Sequence, residues 1–186
     1  VDEKGEVTKV TTENYDEATK YAKGSTLPDF QGALSTTFTY KGFDLAIATT
    51  FQIGGEIYDS MYASFMHSGD RAGSNWHKDI LHAWSPENKN TNVPILDGSQ
   101  SASNQSTRFL MDASYFNLRN ITLGYTFPVK WMKAITAKSG RVYLSADNIA
   151  LLSKRKGMDP RQYAYGYSAA NYSPIRTLSV GVKFDF

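Results

Sequence analysis

From Leu178 to Phe186 the sequence runs Leu178-Ser-Val180-Gly-Val182-Lys-Phe184-Asp-Phe186, with every even position apolar and every odd one small, polar or charged. A period of two is a strand with two unlike faces. Nine residues is the length of a tilted strand that crosses a bilayer. Lys183 and Asp185 belong to the polar face, because a charge in lipid costs about 2–4 kcal/mol at mid-bilayer. Phe43 to Ile53 alternates as strictly, Leu34 to Tyr40 more weakly, and Val142 to Asp147 repeats the pattern after Gly140. Lys41-Gly42, between the first two of these, reads as a tight hairpin turn. From Phe116 to Phe127 the phase slips: apolar positions are even up to Leu118 and odd from Ile121. One extra residue exchanges the faces, so a β-bulge is expected at Arg119-Asn120. Pro128 ends that strand.

These five strands predict an all-β, antiparallel segment of a transmembrane barrel. The connections sort by length, with a two-residue turn and a moderate link (128–139) on one side. Long excursions, about 54–112 and 153–174, lie on the other. Outer-membrane barrels sort short periplasmic turns from long extracellular loops in this way. Residues 1–29 read as a polar surface loop leading into the barrel, and 30–186 as its strands. Within the first excursion a helix is expected from an Asn75 cap, with Trp76, Ile80, Leu81 and Trp84 on one face and Pro86 beyond it. Five strands do not close a barrel, which needs at least eight, and an open edge does not survive in hydrocarbon. Further strands are therefore expected outside this sequence, which reads as a fragment. The opening Val1-Asp-Glu-Lys-Gly5 carries no signal peptide. A soluble five-stranded sheet, such as a glycan-binding or adhesin module, and a passive porin-like barrel stay open on these patterns alone.

Composition narrows the field by exclusion. With 20 Lys and Arg against 18 Asp and Glu, the net charge of +2 has no concentrated basic stripe, so no nucleic-acid partner is expected. There is no cysteine, which rules out disulfides and cysteine metal sites in this stretch. Aromatics reach 13%, 12 Tyr and 10 Phe among them, as suits strands with one face against lipid. No run of apolar residues is long enough for a transmembrane helix.

Several motifs, in order from Leu27 to Phe186, resemble the SusC/RagA family of TonB-dependent outer-membrane transporters. Leu27-Pro-Asp-Phe30 followed by Tyr40-Lys-Gly-Phe-Asp-Leu45 is similar to a hairpin of that family. Gly54-Gly55, Ile57-Tyr-Asp59, Ala83-Trp-Ser-Pro-Glu-Asn88 and Asn92-Val-Pro94 are similar to the loop that follows it. Ala113 to Pro128 resembles its most recognisable motif, and Arg141-Val-Tyr, Asp147-Asn148, Gly157-Met-Asp-Pro160 and Ser173-Pro-Ile-Arg-Thr177 continue the likeness. The resemblance implies the C-terminal five strands of a plugged barrel of 22 strands in the bacterial outer membrane. It implies import of oligosaccharides or peptides, a SusD-like surface lipoprotein as partner, and drive from TonB through the N-terminal part. The lipid bilayer and the outer-membrane assembly machinery are the other expected partners.

No catalytic group is expected, so the chain reads as a non-enzyme without cofactor. Ser, His and Asp occur, but without a G-x-S-x-G elbow. His67, His77 and His82 share one loop, yet the last two are five apart, one too many for a same-face metal pair. The glycosylation patterns at Asn120 and Asn171 carry no meaning in a bacterial setting, and Lys154-Arg-Lys156 reads as a solvated rim. Aromatic side chains in the long loops are the substrate-contact candidates: Trp76, Trp84, Tyr163, Tyr165 and Tyr167, with Arg71 and Arg161. Aromatic faces bury the CH faces of sugars while polar neighbours take the hydroxyls. Tyr125 and Phe127 read as part of an aromatic girdle, and Phe184 with the terminal Phe186 as the signal read by the assembly machinery.

Overall fold

The computed structural model describes residues 12, 14–98, 105–154, 157–163 and 171–186. In chain order they form β1 (Phe30–Tyr40), β2 (Phe43–Ile53), β3 (Glu56–Tyr58), α1 (Ser60–Phe65), β4 (Leu110–Asp112), β5 (Tyr115–Thr126), α2 (Val129–Lys133), β6 (Ser139–Ser153) and β7 (Thr177–Asp185). β3 and β4 pair with each other, and the five long strands make one open sheet in the order β1-β2-β5-β6-β7. Every neighbouring pair in it is antiparallel. The contacts divide the chain into two units. Of the described residues, one unit holds those within 1–25 and 58–110, and the other those within 26–57 and 111–186.

The sheet unit follows the alternation closely. Lys41 and Gly42 have φ of 47° and 88°. Both central residues at positive φ is the turn whose twist matches that of a two-residue hairpin. The slip in β5 is a bulge as expected. Ala48 pairs with Asn120 and Thr49 with Leu118, so Arg119 has no partner on β2. On the other side Asn120 faces Asp147 and Leu118 faces Ala150. Opposite Arg119, β6 therefore carries two unpaired residues, Asn148 and Ile149, and Asn148 has φ of 51°. The kink is shared by two strands, which keeps their faces in step on both sides of it. β6 is longer than its clearest alternation, because the pattern falters at this bulge.

The loop unit has its own small core, in which Met66 and Phe109 are fully buried beside Ala63, Ile80 and Val93. The helix expected from Asn75 to Trp84 does not form. A short 3-10 turn, Lys78–His82, stands there, and His77 Nδ1 accepts the Asp79 N–H at its start. The reason is tertiary. The backbone N–H of Trp84, which a helix would direct to Ile80 O, bonds instead to Val93 O at 2.9 Å, and that of His77 bonds to Phe65 O at 3.0 Å. Of the expected apolar face only Ile80 is buried, while Leu81 is 83% exposed. The true helix, α1, lies earlier, where the Asp59 carboxylate accepts the Tyr62 N–H at 2.9 Å as its N-cap.

Candidate functional site

Register sorts the sheet's side chains into two faces. Phe30, Leu34, Phe38 and Tyr40 of β1 share a side with Phe43, Leu45, Ile47, Phe51 and Ile53 of β2. Phe116, Leu118, Ile121, Leu123 and Tyr125 of β5 continue it. Val142, Leu144, Ala146 and Leu152 of β6 and Leu178, Val180, Val182 and Phe184 of β7 complete it. No charged residue stands among them. Most of this side is left uncovered by the described residues: Leu34 is 67% exposed and Val180 75%. A sheet with an uncovered, charge-free apolar face aggregates in water, and it is stable against lipid.

The opposite face is polar and cross-linked. Asp44, on β2, binds Arg141, on β6, through two bonds, Nε to Oδ1 at 3.1 Å and Nη2 to Oδ2. The strand between them supplies Gly124, whose absent side chain makes room. A Cβ there would lie 2.3 Å from Arg141 Nη2 and 2.5 Å from Asp44 Oδ1. Higher on the same face, Asn120 donates to Ser145 Oγ at 2.9 Å and to Asp147 Oδ1 at 2.8 Å, and it accepts from the Thr122 hydroxyl at 3.0 Å. The ring of Tyr143 lies over Gly181 of β7, where a Cβ would meet its Cζ at 2.2 Å. Such a face suits a water-filled or protein-filled interior, where each buried polar group needs a partner. None of these pairs was foreseen, since neither a two-strand reach nor its glycine gap is visible before register is known.

The candidates in the loop unit keep part of their surface free. Trp76 is 51% exposed, stacked 5.3 Å from the ring of the buried His67. Trp84, 39% exposed, borders a shallow groove of about 300 Å³ with Thr91, Asn92, Val93, Pro94 and Ile95. Arg71 is exposed.

In the sheet unit, Arg161 and Tyr163 are more occupied. The Arg161 guanidinium holds the buried Asp159 carboxylate, with Nε 2.8 Å from Oδ1, and that bond raises its already high pKa. Tyr163 is buried with Ile57, Ala113 and Met158. Lys154 pairs with Asp112 at 2.9 Å. Bonds from Ser114 and Lys154 lower the Asp112 carboxyl to about 2. Tyr165, Tyr167, Arg155 and Lys156 lie outside the described residues. The terminal Phe186 is exposed, its carbonyl accepting from Lys138 Nζ at 2.8 Å. Among the described residues no group of acidic or histidine side chains could hold a metal ion.

A five-stranded antiparallel sheet with an uncovered apolar face and a bonded polar one is a section of an outer-membrane β-barrel wall. No protein-family profile matches the chain. It is 28% identical over 173 residues to the TonB-dependent receptor SusC of Bacteroides thetaiotaomicron, covering 92% of this chain and 16% of that protein. A TonB-dependent receptor of Formosa agariphila is 27% identical over 174 residues, covering 88% of this chain and 17% of that receptor. Among solved structures, the RagAB peptide importer in its closed-closed state matches with a TM-score of 0.81 and 28% identity, over 100% of this chain and 20% of that one. Its open-open state matches with a TM-score of 0.77 and 30% identity, over 98% and 20%. In sequence and in fold the chain matches the SusC/RagA type of TonB-dependent receptor, an outer-membrane barrel. It spans about a sixth of the length of the curated relatives it matches.

Proposed function

We propose that the chain is the C-terminal stretch of barrel wall, with two extracellular loops (54–112 and 153–174), of a TonB-driven importer of 22 strands. Its cargo is an oligosaccharide or a peptide, and a SusD-like surface lipoprotein is its partner. The observation that carries this reading is the two-sided sheet, charge-free outside and hydrogen-bonded inside, in a chain that matches SusC and RagAB over most of its length. The RagAB structures are those of a peptide importer, and that supports a peptide as one of the two cargo classes. Within the loops, Trp76 and Trp84 are the best placed to touch cargo, since both keep a large part of their surface exposed, with Arg71 in the same loop. Arg161 and Tyr163 serve cargo by holding their loop segment in shape.

The test is uptake of labelled oligosaccharides and peptides by cells carrying the full-length gene, with and without TonB. Accumulation that disappears without TonB, and on collapse of the proton-motive force, is expected. Uptake that persists unchanged under both conditions belongs to a passive pore and overturns the reading.

A further inference from the structure

The short-connection end of the sheet carries a feature that wall-building does not need. The link from β5 to β6 is not a bare turn, since it folds into α2. Its place is fixed by two sets of contacts. A row of rings runs from the apolar face of the sheet onto the link: Phe43 to Tyr125 at 4.5 Å, Tyr125 to Phe127 at 5.6 Å, and Phe127 to Trp131 at 6.2 Å. Met132, buried, sits over Gly140, where a Cβ would meet its sulfur at 2.4 Å and the Phe184 ring at 2.9 Å. Phe43, Tyr125, Gly140 and Phe184 all lie on the apolar face. α2 is therefore packed on the outer side of the wall, at its rim.

Its remaining surface is of two kinds. Val129, Trp131 and Ile135 are apolar and about half exposed or more. Lys130 and Lys133 are exposed and have no ion-pair partner among the described residues. No acidic residue occurs from Pro128 to Lys138. The nearby carboxylates, Asp44 and Asp185, belong to the polar face, where they bind Arg141 and Ser139. The outer rim is thus apolar and cationic together, a composition that settles at the boundary of acyl chains and anionic headgroups.

We propose that α2 is an interfacial anchor whose Trp131 lies among the headgroups of the adjoining leaflet, with Lys130 and Lys133 binding the phosphates of anionic phospholipid. The inference rests on the outer-membrane wall reading, and it places that lipid in the periplasmic leaflet. Its test uses the full-length protein, otherwise free of cysteine, in vesicles of phosphatidylcholine and phosphatidylglycerol. A fluorophore is attached at Trp131→Cys, Leu144→Cys or Ser145→Cys, and nitroxide-labelled lipids act as quenchers. Deep nitroxides should quench the label at 144 and spare that at 145. Headgroup nitroxides should quench the label at 131, and do so more strongly on phosphatidylglycerol than on phosphatidylcholine. Lys130→Gln with Lys133→Gln should erode that preference, by roughly fivefold for each lysine lost. A label at 131 that stays unquenched while 144 is quenched overturns the anchor and leaves the wall intact. An unquenched label at 144 overturns the wall itself. A preference for phosphatidylglycerol that survives the double substitution overturns the assignment of the two lysines.

Discussion

Leu144→Lys and Ser145→Lys place the same charge one residue apart on β6, and the structure sends them to opposite sides of the wall. Leu144 is half exposed on the apolar face, between Leu123 of β5 and Val180 of β7. Ser145 is on the polar face, bonded to Asn120 and close to Thr122. A lysine at 144 meets hydrocarbon and costs about 2–4 kcal/mol, less if the side chain reaches an interface. At 145 the ammonium finds Asp147 nearby and water or polar groups, and the cost is near zero. The gap of about 3 kcal/mol is roughly a hundredfold in the ratio of folded to unfolded barrel. The assay is the amount of full-length protein in the outer membrane that keeps its folded, faster mobility in unheated electrophoresis. Leu144→Lys should lose most of that band and Ser145→Lys should keep it. Equal loss in both, or loss only at 145, would refute the assignment of faces.

Gly124→Ala should loosen the barrel by about 1 kcal/mol, a low figure because the Asp44–Arg141 pair is partly in water. In an Arg141→Ser background the same change should be almost silent, and equal costs in both backgrounds, read by thermal unfolding, would remove the clamp from the account. Asp112, held at about 2 by Ser114 and Lys154, has a lowered folded pKa, so its stabilisation is present above the ordinary carboxylate range. That stabilisation is lost as the pH falls through about 2. Pepsin should accordingly cut the segment after Ser153 faster in Asp112→Asn than in the parent at pH about 4. The two rates should converge near pH 2, and a difference that persists there counts against the ion pair. Deleting Phe186 should lower the amount of inserted protein while transport per inserted molecule stays near normal; normal insertion with lost transport would give the residue a direct role. A tag inserted near Gly98 should be reached by antibody on intact cells, and detection only after permeabilisation would invert the topology.

Period-two hydropathy settled the strands, because facing follows directly from position when successive side chains point to opposite sides. Leu178 to Phe186 and Phe43 to Ile53 are read correctly for that reason, and the slip after Leu118 announced its bulge. The loop unit was hardly legible. A helical spacing of Trp76, Ile80 and Trp84 looked like one face, yet the Phe65 and Val93 carbonyls take the backbone donors of His77 and Trp84, on either side of a single 3-10 turn. Donors satisfied by distant partners leave no local trace in the sequence. The polar face was legible only in kind. Charges at Asp44 and Arg141 fall on the inner phase of their strands, but their union depends on register and on the gap at Gly124. Likewise Trp131 and Met132 read as loop residues until the structure lays α2 over Gly140. Alternation fixes which side a residue is on, and only strand pairing decides what it meets there, because the pairs that matter lie up to 97 residues apart in the chain.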